Sequence, residues 1–278
     1  MFKAPPSQLS DLEADELSRF ALTLAQAAAG VTLPHFRTGT RIDNKAAVGD
    51  FDPVTAADRD AETAIRRAIK AAYPDHGIFG EEHGKEEGTS PLTWVLDPID
   101  GTRSFISGVP LWGTLIGLND GAYPRVGLMS QPYLDEIYLG TGSTARLIRH
   151  GRESTLKTRP CDGLEHAILG ATDPAIFFGA GEHEAFEALS GKVRLRRFGG
   201  DCYFYCLLAA GQIDLVVEAA LNPYDIQALI PVIEGAGGVI TTWAGGDPQE
   251  GGQIVAAGDK RTHEEALTIL SKAAAQAP

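Results

Sequence analysis

Residues 94 to 105, Trp-Val-Leu-Asp-Pro-Ile-Asp-Gly-Thr-Arg-Ser-Phe, join an apolar run to two acids and a turn. Trp94, Val95 and Leu96 read as a buried strand that ends in Asp97, with Asp100 and the pair Gly101-Thr102 close behind. Carboxylates at the end of an apolar strand are costly to desolvate unless something positive meets them, and a divalent cation is the usual partner. Pro98 fixes the backbone after Asp97, which suits holding two carboxylates and the Ile99 carbonyl about one point.

Other acids stand where a core is expected. Asp58 precedes Ala61 and Ile65 by three and seven residues, so on a helix it shares their buried face. Asp225 stands in the same relation to Ala228, Leu229, Val232, Ile233 and Ala236. The bland reading of both is a first-turn acid that complements the helix dipole or caps free N–H groups. Glu81-Glu82 follow the apolar Ile78-Phe79-Gly80, and read alone they are a solvated turn. Gly80 would allow a sharp turn that returns one glutamate over the strand end. Two like charges ~4 Å apart repel by about 4 kcal/mol at an effective dielectric near 20. If Glu81, Asp97, Asp100 and Asp225 converge, their repulsion rivals the stability of a domain, so they meet around cations. An all-oxygen set without His or Cys favours Mg²⁺ or Mn²⁺ over zinc. Such clusters cleave phosphate esters by clamping the phosphate and lowering the pKa of an attacking water.

The elements that must position these residues follow from periodicity. Ser10 and Glu13 form a capping box that opens a helix to about Ala29, with Gly30 able to stop it. Gly39 to Pro53 reads as a loop, and a second helix spans Thr55 to Tyr73. Short strands at 77–80, 93–97, 113–119, 125–131 and 136–140 predict an antiparallel sheet with the helices on one side. Beyond about residue 150, strands at 167–171, 193–198, 214–218 and 254–257 alternate with helices at 183–190, 201–210, 223–235 and 263–275. Pro231 should kink the helix over 223–235. The organisation expected is an α+β half, residues 1–150, with most metal ligands. An α/β half, residues 151–278, would carry Asp225 and the substrate-recognition residues.

Composition excludes several classes. The 278-residue chain has a formal net charge of -13, which argues against nucleic-acid partners and anionic membranes. No 18-residue apolar run predicts a membrane span, and Met1 to Ser10 does not read as a signal peptide. Three cysteines, Cys161, Cys202 and Cys206, lack Cys-x-x-Cys spacing and suggest reduced thiols in a cytoplasmic protein. P-loop, dinucleotide and His-Glu-x-x-His motifs are absent.

Gly80-Glu81-Glu82, Asp97-Pro98-Ile99-Asp100-Gly101-Thr102, and Asp225 before Glu234-x-Ala-Gly-Gly resemble the inositol monophosphatase family, with similar motif order from about residue 12 to 272. The resemblance implies the family's layered αβαβα sugar-phosphatase fold and an Mg²⁺-dependent phosphomonoesterase, commonly a homodimer, with two to three metals per site. By position, Glu81, Asp97 and the Ile99 carbonyl would hold one metal, and Asp97, Asp100 and Asp225 a second. Thr102, paired with Asp58, would orient the nucleophilic water, and the Gly101 and Thr102 amides would meet phosphate oxygens. The loop around Lys45 corresponds to a segment that in relatives closes over a third metal.

Tyr224 stands where inositol-specific relatives carry Trp, and Gly199-Gly200 is followed by Asp201 rather than a small residue. With Glu218 and Asn222-Pro223-Tyr224-Asp225, these features resemble the histidinol-phosphatase branch. The ammonium of L-histidinol phosphate would pair with Asp201 and Glu218, whereas inositol offers only hydroxyls. Asp201 as a helix N-cap and Glu218 as a strand-end surface acid are the plain alternatives. Competing functions are an inositol-1-phosphatase, a broad small-molecule phosphatase, and a non-catalytic interaction protein.

Overall fold

A computed structural model of the chain describes residues 2–39, 42–44 and 53–274. Helix α1 (Asp11–Thr32) opens on the expected capping box, with Ser10 and Glu13 satisfying each other's backbone N–H groups. It runs through Gly30 and tightens into a 3₁₀ turn at Leu33–His35 instead of stopping. Strands β1 (Ile42–Asn44) and β2 (Pro53–Thr55) pair antiparallel, β1 within the expected loop and β2 running from its end to the residue expected to open the second helix. Helix α2 (Ala56–Ala72) buries Ala61, Ile65 and Ile69 along one face.

The first sheet has eight strands: β3 (Gly77–Gly80), β4 (Gly84–Glu86), β5 (Thr93–Asp100), β6 (Gly113–Asn119), β7 (Pro124–Gln131), β8 (Glu136–Gly140), β9 (Ala145–Arg149) and β10 (Arg152–Thr155). A short helix, α3 (Thr102–Ile106), follows β5 directly. The strand order is β10-β9-β8-β7-β6-β5-β3-β4, antiparallel throughout except that β3 runs parallel to β5. That exception corrects the all-antiparallel expectation and matters for chemistry. Gly80, the last residue of β3, pairs with Leu96, so the residues that follow them, Glu81 and Asp97, come side by side.

The second sheet alternates with helices: β11 (Ile168–Ala171), α4 (Glu182–Ser190), β12 (Leu195–Phe198), α5 (Asp201–Ala209), β13 (Leu215–Leu221), α6 (Pro223–Ile226), α7 (Leu229–Gly235), β14 (Val239–Thr242), β15 (Gly252–Ala257) and α8 (Lys260–Ala274). Its strand order is β12-β11-β13-β15-β14. The single helix expected over 223–235 is two. The break at Gln227 and Ala228 leaves Pro231 in the first turn of α7, where a missing N–H breaks no bond.

Three apolar interfaces stack these parts into αβαβα layers. Leu17, Leu24, Ile65 and Ile69 of α1 and α2 pack on Trp94, Leu96 and Ile116 of the first sheet. Cys206 and Leu208 of α5, with Leu229 and Val232 of α7, fill the middle between Met129 and Tyr138 on one side and Val216 and Ile254 on the other. Phe186 and Leu270 of α4 and α8 cover the outer face of the second sheet. Among the described residues no helix is long and apolar enough to cross a membrane.

Candidate active site

In a regular strand, Asp97 and Asp100 would face opposite sides of the sheet, being three residues apart. The register between β5 and β6 shifts between these two residues, and this bulge turns both carboxylates toward one place. The Ile99 N–H donates to Asp97 Oδ1 at 3.0 Å, and Thr114 Oγ1 donates to the Pro98 carbonyl at 2.8 Å, fixing the bulge from two sides. Gly101, at φ +80°, then turns the chain into α3.

Asp225 arrives from the other sheet. It is the third residue of α6 in a capping box with Asn222, whose backbone N–H donates to Asp225 Oδ2 at 2.6 Å. Asp97, Asp100 and Asp225 each bring an oxygen within 4.8 Å of the others. Glu81 lies within hydrogen-bonding reach of Asp97, its own N–H held by the Leu96 carbonyl at 3.1 Å. Burial, then Glu81, Asp100 and Asp225, push the Asp97 carboxyl well above the usual range. Asp100 is raised likewise, by burial and then by Asp201 and Asp225. A convergent, all-oxygen donor set of this kind, with Asp97 buried and Asp100 and Asp225 half-buried, fits a hard divalent cation.

These residues form one end of a cleft of about 320 Å³. Glu81, Asp97, Ile99, Asp100, Gly101, Thr102, Asp201, Glu218 and Asp225 all line it, so nine positions singled out in the sequence share one cavity. Asp201 is not an N-cap. Gly200 is, and Asp201 is the first residue of α5, held at φ +43°. Its Oδ2 accepts from Ser104 Oγ at 3.0 Å. Left-handed backbone at a non-glycine residue beside a cleft is strain of the kind found at ligand sites. Glu218 is buried on β13, not a surface acid. Its Oε1 accepts from the Thr172 N–H and hydroxyl at 2.7 and 3.0 Å, while Oε2 has no partner.

The other expected site residues that the structure describes lie outside the cleft or bond differently from expectation. Gly199 and Gly200 do not line the cleft; they set the entry into α5, and a Cβ at Gly200 would fall on the Phe204 ring. The Thr102 hydroxyl donates to the Ile99 carbonyl at 3.1 Å, not to Asp58. Asp58 is buried in a capping box, its Oδ2 accepting from the Thr55 N–H and hydroxyl at 2.9 and 2.6 Å, and does not line the cleft. Burial, partly offset by the Thr55 bonds, raises its pKa. Lys45 lies outside the described residues.

The cleft also contains residues to which the sequence reading gave no role. Arg103 is the cation among the described lining residues; burial raises the pKa of Asp201, and the Arg103 charge offsets part of that rise. Its place next to Thr102 in the central motif was the available signal. Thr172 and Phe178 come from the segment after β11, where neither spacing nor periodicity marks them.

The sequence profile of the inositol monophosphatase family matches residues 13–275. The chloroplastic bifunctional phosphatase IMPL2 of Arabidopsis thaliana is 42% identical over 278 residues, covering 95% of this chain and 78% of that protein. A histidinol-phosphatase of Mycobacterium tuberculosis is 34% identical over 255 residues, covering 90% of this chain and 96% of that protein. The solved structure of an inositol monophosphatase from Zymomonas mobilis superposes with a TM-score of 0.82 at 40% identity, covering 94% of this chain and 99% of that one. Fold, site and sequence thus agree on a layered phosphoric monoester hydrolase. The chain belongs to the inositol monophosphatase family, whose members are metal-dependent.

Proposed function

We propose that this protein is an Mg²⁺-dependent histidinol-phosphatase, converting L-histidinol phosphate and water to L-histidinol and phosphate in histidine biosynthesis. The carrying observation is an unsatisfied acid in the cleft. Beside Asp97, Asp100 and Asp225 stand Asp201, near enough to Asp100 to raise its pKa, and Glu218, whose buried Oε2 has no partner. An ammonium group would satisfy that oxygen, whereas inositol's hydroxyls bring no compensating charge. The histidinol-phosphatase among the relatives supports the same reading.

In this scheme Glu81, Asp97, the Ile99 carbonyl, Asp100 and Asp225 hold Mg²⁺, with Mn²⁺ as a substitute, two to three ions per site. The ions would supply charge for the phosphate oxygens and a lowered pKa for the attacking water. The Gly101 and Thr102 amides, at the turn into α3, donate to the phosphate. Thr102 and Asp58 hold the water and take its proton, which requires the Thr102 hydroxyl to leave the Ile99 carbonyl. Residues 1–150 then supply most ion ligands, and residues 151–278 supply Asp225, Asp201 and Glu218.

The test is a phosphate-release panel with histidinol phosphate, inositol 1-phosphate and sugar phosphates, with and without Mg²⁺. Histidinol phosphate should give the highest kcat/KM. A preference for inositol 1-phosphate would overturn the assignment in favour of the activity of the Zymomonas relative. We further propose a cytoplasmic homodimer. The three cysteines are free and buried, and edge strand β12 exposes Leu195 and Phe198. Light scattering at micromolar concentration reads the dimer directly.

A further inference from the structure

The turn that carries Glu81 is fastened to helix α2 by a residue outside the cleft. Glu62 is fully buried, and its carboxylate gathers that turn onto the helix. The backbone N–H groups of Glu82 and His83 donate to Oε2 and Oε1 at 2.7 and 3.2 Å. Arg66 Nε donates to Oε1 at 2.7 Å, and the same guanidinium reaches the Gly84 carbonyl. A Cβ built on Gly80 would lie 2.1 Å from Glu62 Oε1, so the carboxylate occupies the space a side chain at Gly80 would need. The His83 ring adds contacts at 3.1 and 3.2 Å to Thr63 Oγ1 and the Arg59 carbonyl on the same helix.

A buried carboxylate is expensive unless it is paired and hydrogen-bonded, and this one is both. The consequence falls on Glu81. On one side its N–H is tied to Leu96 of β5, the residue before Asp97. On the other side, the next two amides are tied to Glu62. The backbone of Glu81 is therefore clamped between the strand bearing Asp97 and the helix bearing Asp58.

We infer that Glu62, backed by Arg66 and admitted by Gly80, is a positioning residue that presets Glu81 for cation binding before any ion arrives. The inference rests on the proposal that Glu81 and Asp97 share an ion. Partners of ligating groups, one bond removed from the ion, typically control affinity by 10- to 100-fold.

The probe is Mn²⁺ alone, titrated calorimetrically into chelator-treated protein without substrate. Glu62→Gln keeps shape but loses charge, and its amide turns a donor toward one of the N–H groups. Gly80→Ala pushes on the carboxylate from the other side and leaves every charge in place. Both variants should weaken the tightest Mn²⁺ site about 10- to 100-fold, with unchanged far-ultraviolet circular dichroism. Affinity within twofold of wild type in the folded variants overturns the inference. Wild-type protein that binds no Mn²⁺, or an Asp97→Asn control that binds it normally, defeats the underlying ion reading instead. Hydrogen exchange on wild-type, ion-free protein is a second test that needs no variant. Glu82 and His83 amides should be protected to the level of β3, and loop-like exchange there overturns the inference.

Discussion

The backbone N–H of Cys202 donates to Asp100 Oδ2 at 2.8 Å. This bond joins the first turn of α5, which leads into the second sheet, to a carboxylate at the end of β5 in the first. Asp100 thus belongs to the carboxylate cluster and also holds a helix start. Asp100→Asn should keep the cap, because the amide oxygen still accepts, and lose the charge. Turnover with saturating Mg²⁺ should fall at least about 100-fold, with circular dichroism unchanged. Full activity would remove Asp100 from the ion site.

Without ions the same cluster should oppose folding. Burial and neighbouring acids hold the Asp97 and Asp100 carboxyls well above their ordinary value near 3.8. A raised folded pKa means the folded state binds protons more tightly, so the contribution is fully present below the unfolded pKa. It is lost as pH rises through the folded pKa. In EDTA, Asp97→Asn should melt higher than wild type, by a margin that grows as pH rises from 4 toward 8, and it should gain less from Mg²⁺. A margin that does not widen over that range would contradict the convergence of charge.

Substrate choice should separate Asp201 and Glu218 from the phosphate chemistry. Asp201→Ala and Glu218→Gln should each raise KM for histidinol phosphate about 10-fold or more, as expected for removing a charged hydrogen-bond partner worth about 1.5–3 kcal/mol. Inositol 1-phosphate should change less. Equal losses on both substrates would take these residues out of amine recognition.

His263 gives a pH-sensitive element of the opposite sign, on helix α8. It is fully buried, its Nε2 lies 2.9 Å from Thr241 Oγ1, and its Nδ1 has no partner. Thr241 donates its own proton to the Thr242 carbonyl, so Nε2 is the donor to Thr241 and the ring is neutral. Burial lowers its pKa to about 4 from 6.5. A depressed folded pKa contributes stability that is present above 6.5 and lost as pH falls toward 4, by roughly 3 kcal/mol at most. Urea unfolding of His263→Gln should show a shallower decline between pH 6.5 and 4, and an unchanged slope would refute the assignment.

The strands that read clearly in the sequence were those with sustained apolar runs, such as 113–119 and 136–140, whose limits match β6 and β8. Those that did not were short, exposed or polar, such as β4 and β10, where no burial imposes a pattern. The ion cluster was legible because acids inside apolar stretches are too costly to bury unless a cation or a run of N–H donors meets them. What remained hidden was the bulge between Asp97 and Asp100 and the parallel pairing of β3 with β5, since neither alters residue type. The partner of the Thr102 hydroxyl was hidden for a related reason: it donates to the Ile99 carbonyl, and backbone acceptors carry no sequence signature. Glu62 escaped because Arg66, one turn along, makes it look like an ordinary exposed ion pair.

Asp58 and Asp225 each stand third in a helix whose N-cap amide they bind, so the plain reading of a first-turn acid holds at both. Anyone wishing to empty this scaffold of its reactivity while keeping its outline should use asparagine at these two places. Alanine would unravel a helix start along with the chemistry, and its silence in an assay would teach nothing about which had failed.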